Sequence, residues 1–250
     1  HRDLHSFPTR RSSDLTYYLT YPSKTKGKPE IEKYPNQPDS SYISTLILAG
    51  GKSSRMGTDK ALVYYQGKPM LRRVYEAAKA VTDRVYLLTP LHTQQSDDSK
   101  RVAQSERYKQ ILPAECNYLT ESQPYRGALY GLSEGLEQIS SEWILLLACD
   151  LPLLNTKIIQ TWIDHLKQVP EETLAVVPKH SPNCSSNWEP MCGFYRDRAI
   201  TQLKSFLQSG GRSFQKWFSQ IKVQPLFITP EVKIMLHNCN TPEDLDVDLV

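Results

Sequence analysis

The chain has 250 residues, of which 39% are hydrophobic and 23% are charged. It carries 30 Lys and Arg residues against 27 Asp and Glu residues, which gives a formal net charge of +3 at pH 7. This balance does not favour nucleic-acid binding, and the longest hydrophobic run, residues 143–149, is far shorter than the ~20 residues of a membrane-spanning helix. The five cysteines form no C-x-x-C pair, which argues against a disulfide framework and a zinc site, so we expect free thiols in the cytoplasm.

Residues 1–41 differ in composition and pattern from the rest of the chain. Five prolines interrupt them, and neither a helical nor a strand period persists for long. We therefore expect residues 1–41 to be disordered or loosely attached, and residues 42–250 to form the folded domain. The first fifteen residues also resemble translated sequencing-adapter sequence, in which case they are not native to the protein.

Strands and helices alternate along the remainder of the chain. The sequence predicts strands at residues 45–48, 85–88, 118–119, 143–148, 174–177, 194–195 and 223–228. It predicts helices at residues 69–78, 128–139, 155–169 and 198–207, one exposed helix within residues 92–110, and a last helix that opens at residues 241–244. This alternation favours a three-layer α/β/α fold with a mostly parallel sheet.

The most informative segment is residues 48–60, with the sequence L-A-G-G-K-S-S-R-M-G-T-D-K. Gly50 and Gly51 follow a predicted strand, and their lack of Cβ atoms lets a phosphate approach the main chain. Arg55 and Lys60 add positive charge, so loop amides and cations together suit a polyphosphate. The glycine spacing fits neither the Walker A loop nor the dinucleotide fingerprint G-x-G-x-x-G. A glycine turn beside a solvated cationic loop is the alternative interpretation.

Asp150 follows directly after the hydrophobic strand predicted at residues 143–148. In open α/β sheets, the ligand crevice lies at this carboxyl end of the strands. A single carboxylate suits Mg²⁺, which takes one or two carboxylates together with phosphate oxygens and water. The alternative is that Asp150 caps a helix in the loop between strand and helix.

Four segments, in the same order along the chain, resemble the molybdenum cofactor guanylyltransferase family. They are the loop at residues 48–60, E-S-Q-P-Y-R-G-A at residues 121–128, C-D-L-P at residues 149–152, and N-C-N-T-P-E-D at residues 238–244. The resemblance implies a fold like that of the nucleotide-diphospho-sugar transferases. It also implies that the protein transfers GMP from GTP to Mo-molybdopterin with Mg²⁺ and releases pyrophosphate.

The resemblance further implies roles for single residues. It makes Lys60, Asp150 and Arg55 catalytic and gives Asp150 the metal. The implied nucleotide-binding residues are Leu48, Ala49, Gly50, Gly51, Lys60, Glu121, Gly127 and Asp150. Two positions depart from the family pattern, since Ala128 replaces a proline and Glu121 replaces an aspartate with a side chain that is one methylene longer.

Several assignments remain open between two interpretations. Asp59 either holds Lys60 in place or is a simple turn residue, and Gly127 either approaches the nucleotide or merely precedes a helix. Asn238 and Asn240 either complete the metal site or turn the chain. Arg212 either takes a phosphate of the acceptor or lies in a helix-to-helix turn.

The function also has alternatives. A related transferase that uses CTP or a sugar-phosphate acceptor would need the same loop chemistry, and a non-catalytic nucleotide-binding protein would need only part of it. The substrates expected from the resemblance are GTP and molybdopterin, with transient contacts to molybdoenzymes or their chaperones, and we expect neither nucleic acid nor a membrane as a partner.

Overall fold

The structure is a computed structural model that describes residues 41–49, 59–90, 99–122, 126–180, 187–239 and 244. The strands are β1 (Ser41–Leu48), β2 (Tyr64–Tyr65), β3 (Lys68–Pro69), β4 (Arg84–Pro90), β5 (Asn117–Glu121), β6 (Ser141–Ala148), β7 (Ala175–Lys179), β8 (Cys192–Arg196) and β9 (Val223–Phe227). The helices are α1 (Met70–Lys79), α2 (Ser99–Ile111), α3 (Ala128–Gln138), α4 (Thr156–Leu166), α5 (Ala199–Gln208), α6 (Phe214–Phe218) and α7 (Pro230–Met235), with a 3-10 turn at Lys60–Leu62. No helix within these ranges is long and apolar enough to cross a membrane.

Seven strands form one sheet in the order β5-β4-β1-β6-β8-β7-β9. Neighbouring strands are parallel except at β8, which runs antiparallel to both β6 and β7. Because β1, β4, β5 and β6 run in one direction, their carboxyl ends meet at the same edge of the sheet, which we call the carboxyl edge. The predicted mostly parallel α/β sheet is confirmed.

Two hydrophobic cores cover the two faces of the sheet. Strand β1 contributes to both, because Ile43 and Ile47 pack with α1, α2, α4 and α7, whereas Leu46 packs with α3, α5 and α6. This alternation is the two-residue period of a strand that is buried on both faces. The three layers of the predicted fold follow from it.

Helix α3 packs unusually close to the sheet. A Cβ atom built on Gly135 would collide with the side chain of Leu46, and one on Gly131 would lie 3.1 Å from methyl groups of Leu48. The two glycines, which weaken the helix by propensity, therefore allow the close approach of α3 to β1. The same packing brings the first turn of α3 to the carboxyl edge.

Helix α1 confirms its prediction residue by residue. Leu71, Val74, Tyr75 and Ala78 are all buried, as their spacing requires, and Pro69 stands immediately before the helix. Strand β1 begins at Ser41, four residues before the predicted strand and at the last residue of the predicted tail. Residues 1–40 lie outside the described residues, so their disorder stays a prediction.

The prediction of an exposed helix within residues 92–110 was wrong in one respect. Helix α2 spans Ser99–Ile111, but Tyr108 is completely buried and Ser105 is 6% exposed. The β2–β3 hairpin, α6 and α7 were not predicted from the sequence. The helix predicted to open at residues 241–244 falls almost entirely outside the described residues.

Candidate active site

Two of the predicted catalytic side chains lie together at the carboxyl edge. The Nζ atom of Lys60 is 3.6 Å from Oδ2 of Asp150, and the two side chains are 20% and 19% exposed. Asp150 comes two residues after β6 ends, and Lys60 opens the 3-10 turn. The pair is thus largely shielded from water but still reachable by a ligand.

Burial raises the pKa of Asp150 above its ordinary range, because removal from water disfavours the charged carboxylate. The ammonium of Lys60 opposes this shift without cancelling it. Asn155 accepts hydrogen bonds from the main-chain nitrogens of Lys157 and Ile158 and so caps α4. The capping interpretation of Asp150 is therefore wrong.

The donor set at this edge fits Mg²⁺ better than zinc. Among the described residues, no group of three or more His, Cys, Asp or Glu side chains could hold a metal ion by itself. Mg²⁺ commonly uses one carboxylate and fills its other positions with phosphate oxygens and water, whereas a structural zinc site needs four protein ligands. Asp150, which is partly exposed and lies beside a phosphate-binding lysine candidate, meets the first description.

Main-chain hydrogen bonds and one arginine hold the Asp150 loop in place. The nitrogen of Cys149 donates to the carbonyl of Leu48 at 3.3 Å, and the nitrogen of Cys239 donates to the carbonyl of Asp150 at 3.1 Å. Arg73 of α1 donates through Nε to the carbonyl of Pro152 at 3.1 Å. The loop is thereby tied to β1, to the C-terminal segment and to α1.

Asp59 is a structural anchor and not a simple turn residue. Its Oδ1 atom accepts from the main-chain nitrogen of Ala61 at 3.1 Å and so caps the turn that Lys60 opens. Its Oδ2 atom accepts from Nε2 of Gln104 at 2.6 Å and from the hydroxyl of Tyr108 at 2.8 Å. Gln104 and Tyr108 were missed from the sequence, although their four-residue spacing places them on one face of a helix.

The structure places the implied nucleotide-binding residues only in part. Leu48 ends β1 half-buried, Ala49 is completely buried behind it, and Glu121 ends the edge strand β5. Gly50, Gly51 and Arg55 lie outside the described residues, as does Asn240. The assignment of all these residues to a nucleotide stays a prediction.

Gly127 stands immediately before α3 with a φ of +95°, a conformation that strongly favours glycine. This geometry explains the glycine without a nucleotide, since a Cβ atom added there would meet no other atom within 4 Å and only the φ angle requires glycine. Asn238 is exposed next to the buried Cys239, whose nitrogen bonds to the Asp150 loop. Its role toward a metal stays a prediction.

Arg212 follows its alternative interpretation. Its guanidinium donates to the carbonyl of Leu207 at 3.0 Å and also bonds to the carbonyl of Gly211, so it caps the C-terminal end of α5 in the turn before α6. It also lies 5.1 Å from the ring centroid of Tyr130. We therefore assign Arg212 to the turn between the helices.

A cavity of about 440 Å³ lies between α3 and α5, apart from Lys60 and Asp150. Lys204 forms an ion pair with Glu137 at 2.8 Å across it, and Ser122 donates to Glu134. Arg126 and Arg212 also line the cavity, where they lie 4.0 Å and 5.1 Å from the ring centroid of Tyr130.

Comparisons with known proteins point to one family. Residues 45–223 match the MobA-like NTP transferase domain. A probable molybdenum cofactor guanylyltransferase from Nostoc sp. is 45% identical over 206 residues, which cover 82% of this chain and 89% of the relative. A protein of the same name from Synechococcus elongatus is 38% identical over 204 residues, covering 81% of this chain and 95% of the relative.

Solved structures share the fold at lower identity. Molybdopterin-guanine dinucleotide biosynthesis protein A from Archaeoglobus fulgidus has a TM-score of 0.61 and 19% identity, covering 81% of this chain and 94% of its own. A 4-diphosphocytidyl-2C-methyl-D-erythritol synthase from Anaerococcus prevotii has a TM-score of 0.58 and 15% identity, covering 82% and 92%. A Mycobacterium tuberculosis protein in complex with manganese has a TM-score of 0.53 and 15% identity, covering 84% and 95%.

Proposed function

The chain belongs to the MobA-like NTP transferase family, and we propose that it is a molybdenum cofactor guanylyltransferase. It transfers GMP from GTP to Mo-molybdopterin, forms the guanine dinucleotide form of the cofactor and releases pyrophosphate. The observation that carries this proposal is the Lys60–Asp150 pair at the carboxyl edge, where a cation and a carboxylate lie 3.6 Å apart. This is the minimal set needed to receive a triphosphate and a divalent cation.

The reaction makes little demand on acid–base chemistry. The nucleophile is the terminal phosphate of molybdopterin, and a phosphate monoester has a second pKa of about 6, so it is largely ionised at neutral pH. It attacks the α-phosphorus of GTP in line with the departing pyrophosphate. A site without a general base is therefore sufficient, and catalysis depends on positioning and on charge neutralisation.

Lys60 and Asp150 divide this electrostatic work. The ammonium of Lys60 neutralises charge on the triphosphate while pyrophosphate leaves, and Arg55 is proposed as a second cation on the pyrophosphate. Asp150 would hold Mg²⁺, which when bound neutralises phosphate charge and orients the phosphate oxygens. The amides of residues 48–51 and the start of α3 at Gly127 would cradle the nucleotide.

The test is pyrophosphate release with Mo-molybdopterin, Mg²⁺ and either GTP or CTP. We expect kcat/KM to be at least tenfold higher with GTP, which corresponds to about 1.4 kcal/mol. A sugar phosphate in place of molybdopterin is the matched control and should give no release above background. Equal values for the two nucleotides would overturn the guanylyl assignment, and nucleotide binding without turnover would indicate a non-catalytic nucleotide-binding protein.

We also propose that the protein works in the cytoplasm, where GTP and molybdopterin are its small-molecule partners and molybdoenzymes or their chaperones contact it transiently. In support, Cys116, Cys149, Cys192 and Cys239 are unpaired thiols in the described part of the chain, as expected in a reducing compartment.

A further inference from the structure

The residue before Lys60 is held more firmly than a turn requires. Asp59 receives three hydrogen bonds on its two carboxylate oxygens, one from Ala61 and two from α2. Tyr108 is 49 residues away in sequence and Gln104 is 45 residues away, so this contact joins two distant parts of the chain. A carboxylate with donors on both oxygens has a fixed orientation.

The two donors on α2 support each other. Nε2 of Gln104 donates to the Tyr108 hydroxyl at 2.8 Å and to Asp59 at 2.6 Å, and the hydroxyl then donates to Asp59 at 2.8 Å. The ring of Tyr108 is completely buried in the core that α1 and α4 share. Burial, and to a lesser extent the charge of Asp59, raise the pKa of Tyr108 far above its ordinary range, so the hydroxyl keeps its proton and donates.

Lys60 needs such support because its own element is short. The 3-10 turn at Lys60–Leu62 is only three residues long, and its N-terminal cap is the Oδ1 atom of Asp59. A lysine side chain adds several rotatable bonds beyond that turn, and misplacement of a catalytic group by ~1 Å can cost ~10²-fold in rate. The orientation of Asp59 therefore fixes the main-chain position of Lys60, from which the side chain extends to Asp150.

We propose that Tyr108 and Gln104 are positioning residues that hold the Lys60 ammonium beside Asp150 through the carboxylate of Asp59. The catalytic consequence rests on the proposed function, whereas the placement of Lys60 is a property of the fold alone. Two side chains of α2 would thus influence the reaction rate through the position of Lys60, without contacting the substrate.

The test compares Tyr108→Phe with Thr45→Val. Tyr108→Phe keeps the buried ring and removes only the hydroxyl, and we expect kcat with GTP to fall about tenfold, as for a misplaced catalytic group. Thr45→Val removes another buried hydroxyl, which shares a hydrogen bond of 2.7 Å with Thr82. Thr45 lies on the same face of the sheet but in the middle of β1, before the carboxyl edge. We expect Thr45→Val to lower the melting temperature to a similar extent and to leave kcat within twofold of the parent.

A double-mutant cycle separates positioning from general destabilisation. If Tyr108 acts through Asp59, then Tyr108→Phe has no further effect on kcat once Asp59→Ala has removed the carboxylate. If the loss of kcat in the double variant instead equals the product of the losses in the two single variants, Tyr108 acts independently of Asp59 and the inference is overturned. A parental kcat in Tyr108→Phe alone would overturn it as well.

Crystal structures of the parent and of Tyr108→Phe give a measurement that needs no activity. We expect the distance from Lys60 Nζ to Asp150 Oδ2 to lengthen beyond the 4 Å range of an ion pair in the variant. An unmoved Lys60 would contradict the inference. If the parent releases no pyrophosphate, the proposed function fails, and the crystallographic comparison still decides whether Tyr108 positions Lys60.

Discussion

Lys60 and Asp150 lie 3.6 Å apart, yet the protein holds them in two different ways. The Asp150 loop is tied mainly by main-chain hydrogen bonds, from Cys149 to Leu48 and from Cys239 to Asp150. Lys60 is held through the side chain of Asp59, which bonds to Tyr108 of α2. Main-chain bonds survive most substitutions, whereas a side-chain network loses a bond whenever one of its polar atoms is removed, so the two partners differ in how easily mutation displaces them.

The difference follows from where each residue lies in the fold. Asp150 extends an interior strand of the sheet, since β6 pairs with β1 on one side and β8 on the other. Lys60 lies outside the sheet in a short turn, so no ladder of strand hydrogen bonds reaches it. The proposed metal ligand Asp150 is thus placed by the sheet, and the proposed phosphate ligand Lys60 by a 3-10 turn whose cap bonds to α2.

The largest effects are expected at the two residues themselves. Asp150→Asn keeps the shape and removes the charge, and Lys60→Ala removes the cation while it leaves the carboxylate. Both should lower kcat by about 10²–10³, the usual worth of a group aimed at developing charge. Both should fold, because neither side chain belongs to a hydrophobic core.

Titration with Mg²⁺ separates the two variants. Asp150→Asn should need far more Mg²⁺ for its residual turnover, while Lys60→Ala should keep the parental Mg²⁺ requirement and bind GTP more weakly. A parental rate and an unchanged Mg²⁺ dependence in Asp150→Asn would contradict the metal assignment and direct the search to Asn238 and Asn240.

A smaller effect is expected in the pH dependence of stability. Because the pKa of Asp150 is raised in the folded protein, the folded state binds its proton more tightly than the unfolded state does. Its contribution to stability is complete below the ordinary carboxyl pKa and is lost as pH rises through the raised value, leaving a cost of burying the charge at neutral pH. Asp150→Asn removes that cost.

Unfolding free energies of the parent and of Asp150→Asn, measured by denaturant titration between pH 4 and pH 7.5, check this sign. We expect the variant to be at least as stable as the parent at pH 7.5, with an advantage that shrinks on acidification. A deficit of the variant that grows with pH would mean that Lys60 outweighs burial and that the pKa is lowered instead.

The smallest effect is expected from the N-terminal segment. Removal of residues 1–40 leaves β1 intact, since Ser41 pairs with Ser141 at the start of the strand. We expect the melting temperature to change by less than about 2 °C, which for a domain of this size is under about 1 kcal/mol, and turnover to stay the same. A larger loss in a scanning calorimeter would show that the segment packs on the domain.

The sequence predicted the Asp150 side of the site better than the Lys60 side. The hydrophobic run at β6 was strong enough to place Asp150 at the end of a strand. The resemblance at residues 48–60 then assigned Lys60 to the same site. The anchor of Lys60 could not be predicted, because Tyr108 lies in a polar helix with no continuous hydrophobic stripe. Tyr108 is buried by packing in the core that α1 and α4 share, and its hydroxyl bonds to Asp59. Both are tertiary contacts that local periodicity does not register.

Other parts of the fold were beyond local patterns for similar reasons. The hydrophobic run of β8 predicts a strand but not its direction, so the antiparallel pairing with β6 was unforeseen. The β2–β3 hairpin has strands of only two residues around Gln66 and Gly67, both with positive φ, and a pattern this short has no period to detect.

The antiparallel direction of β8 also affects which part of the fold can change during evolution. Because β8 runs antiparallel to β7, the segment between them leaves and re-enters the sheet at the carboxyl edge, where Met191 accepts a hydrogen bond from Ala148 at 3.0 Å. That connection can lengthen, shorten or change sequence without altering the register of β1, β4 and β6. Evolution can therefore vary the surroundings of the carboxyl edge on that side of the sheet while it leaves Lys60 and Asp150 in place.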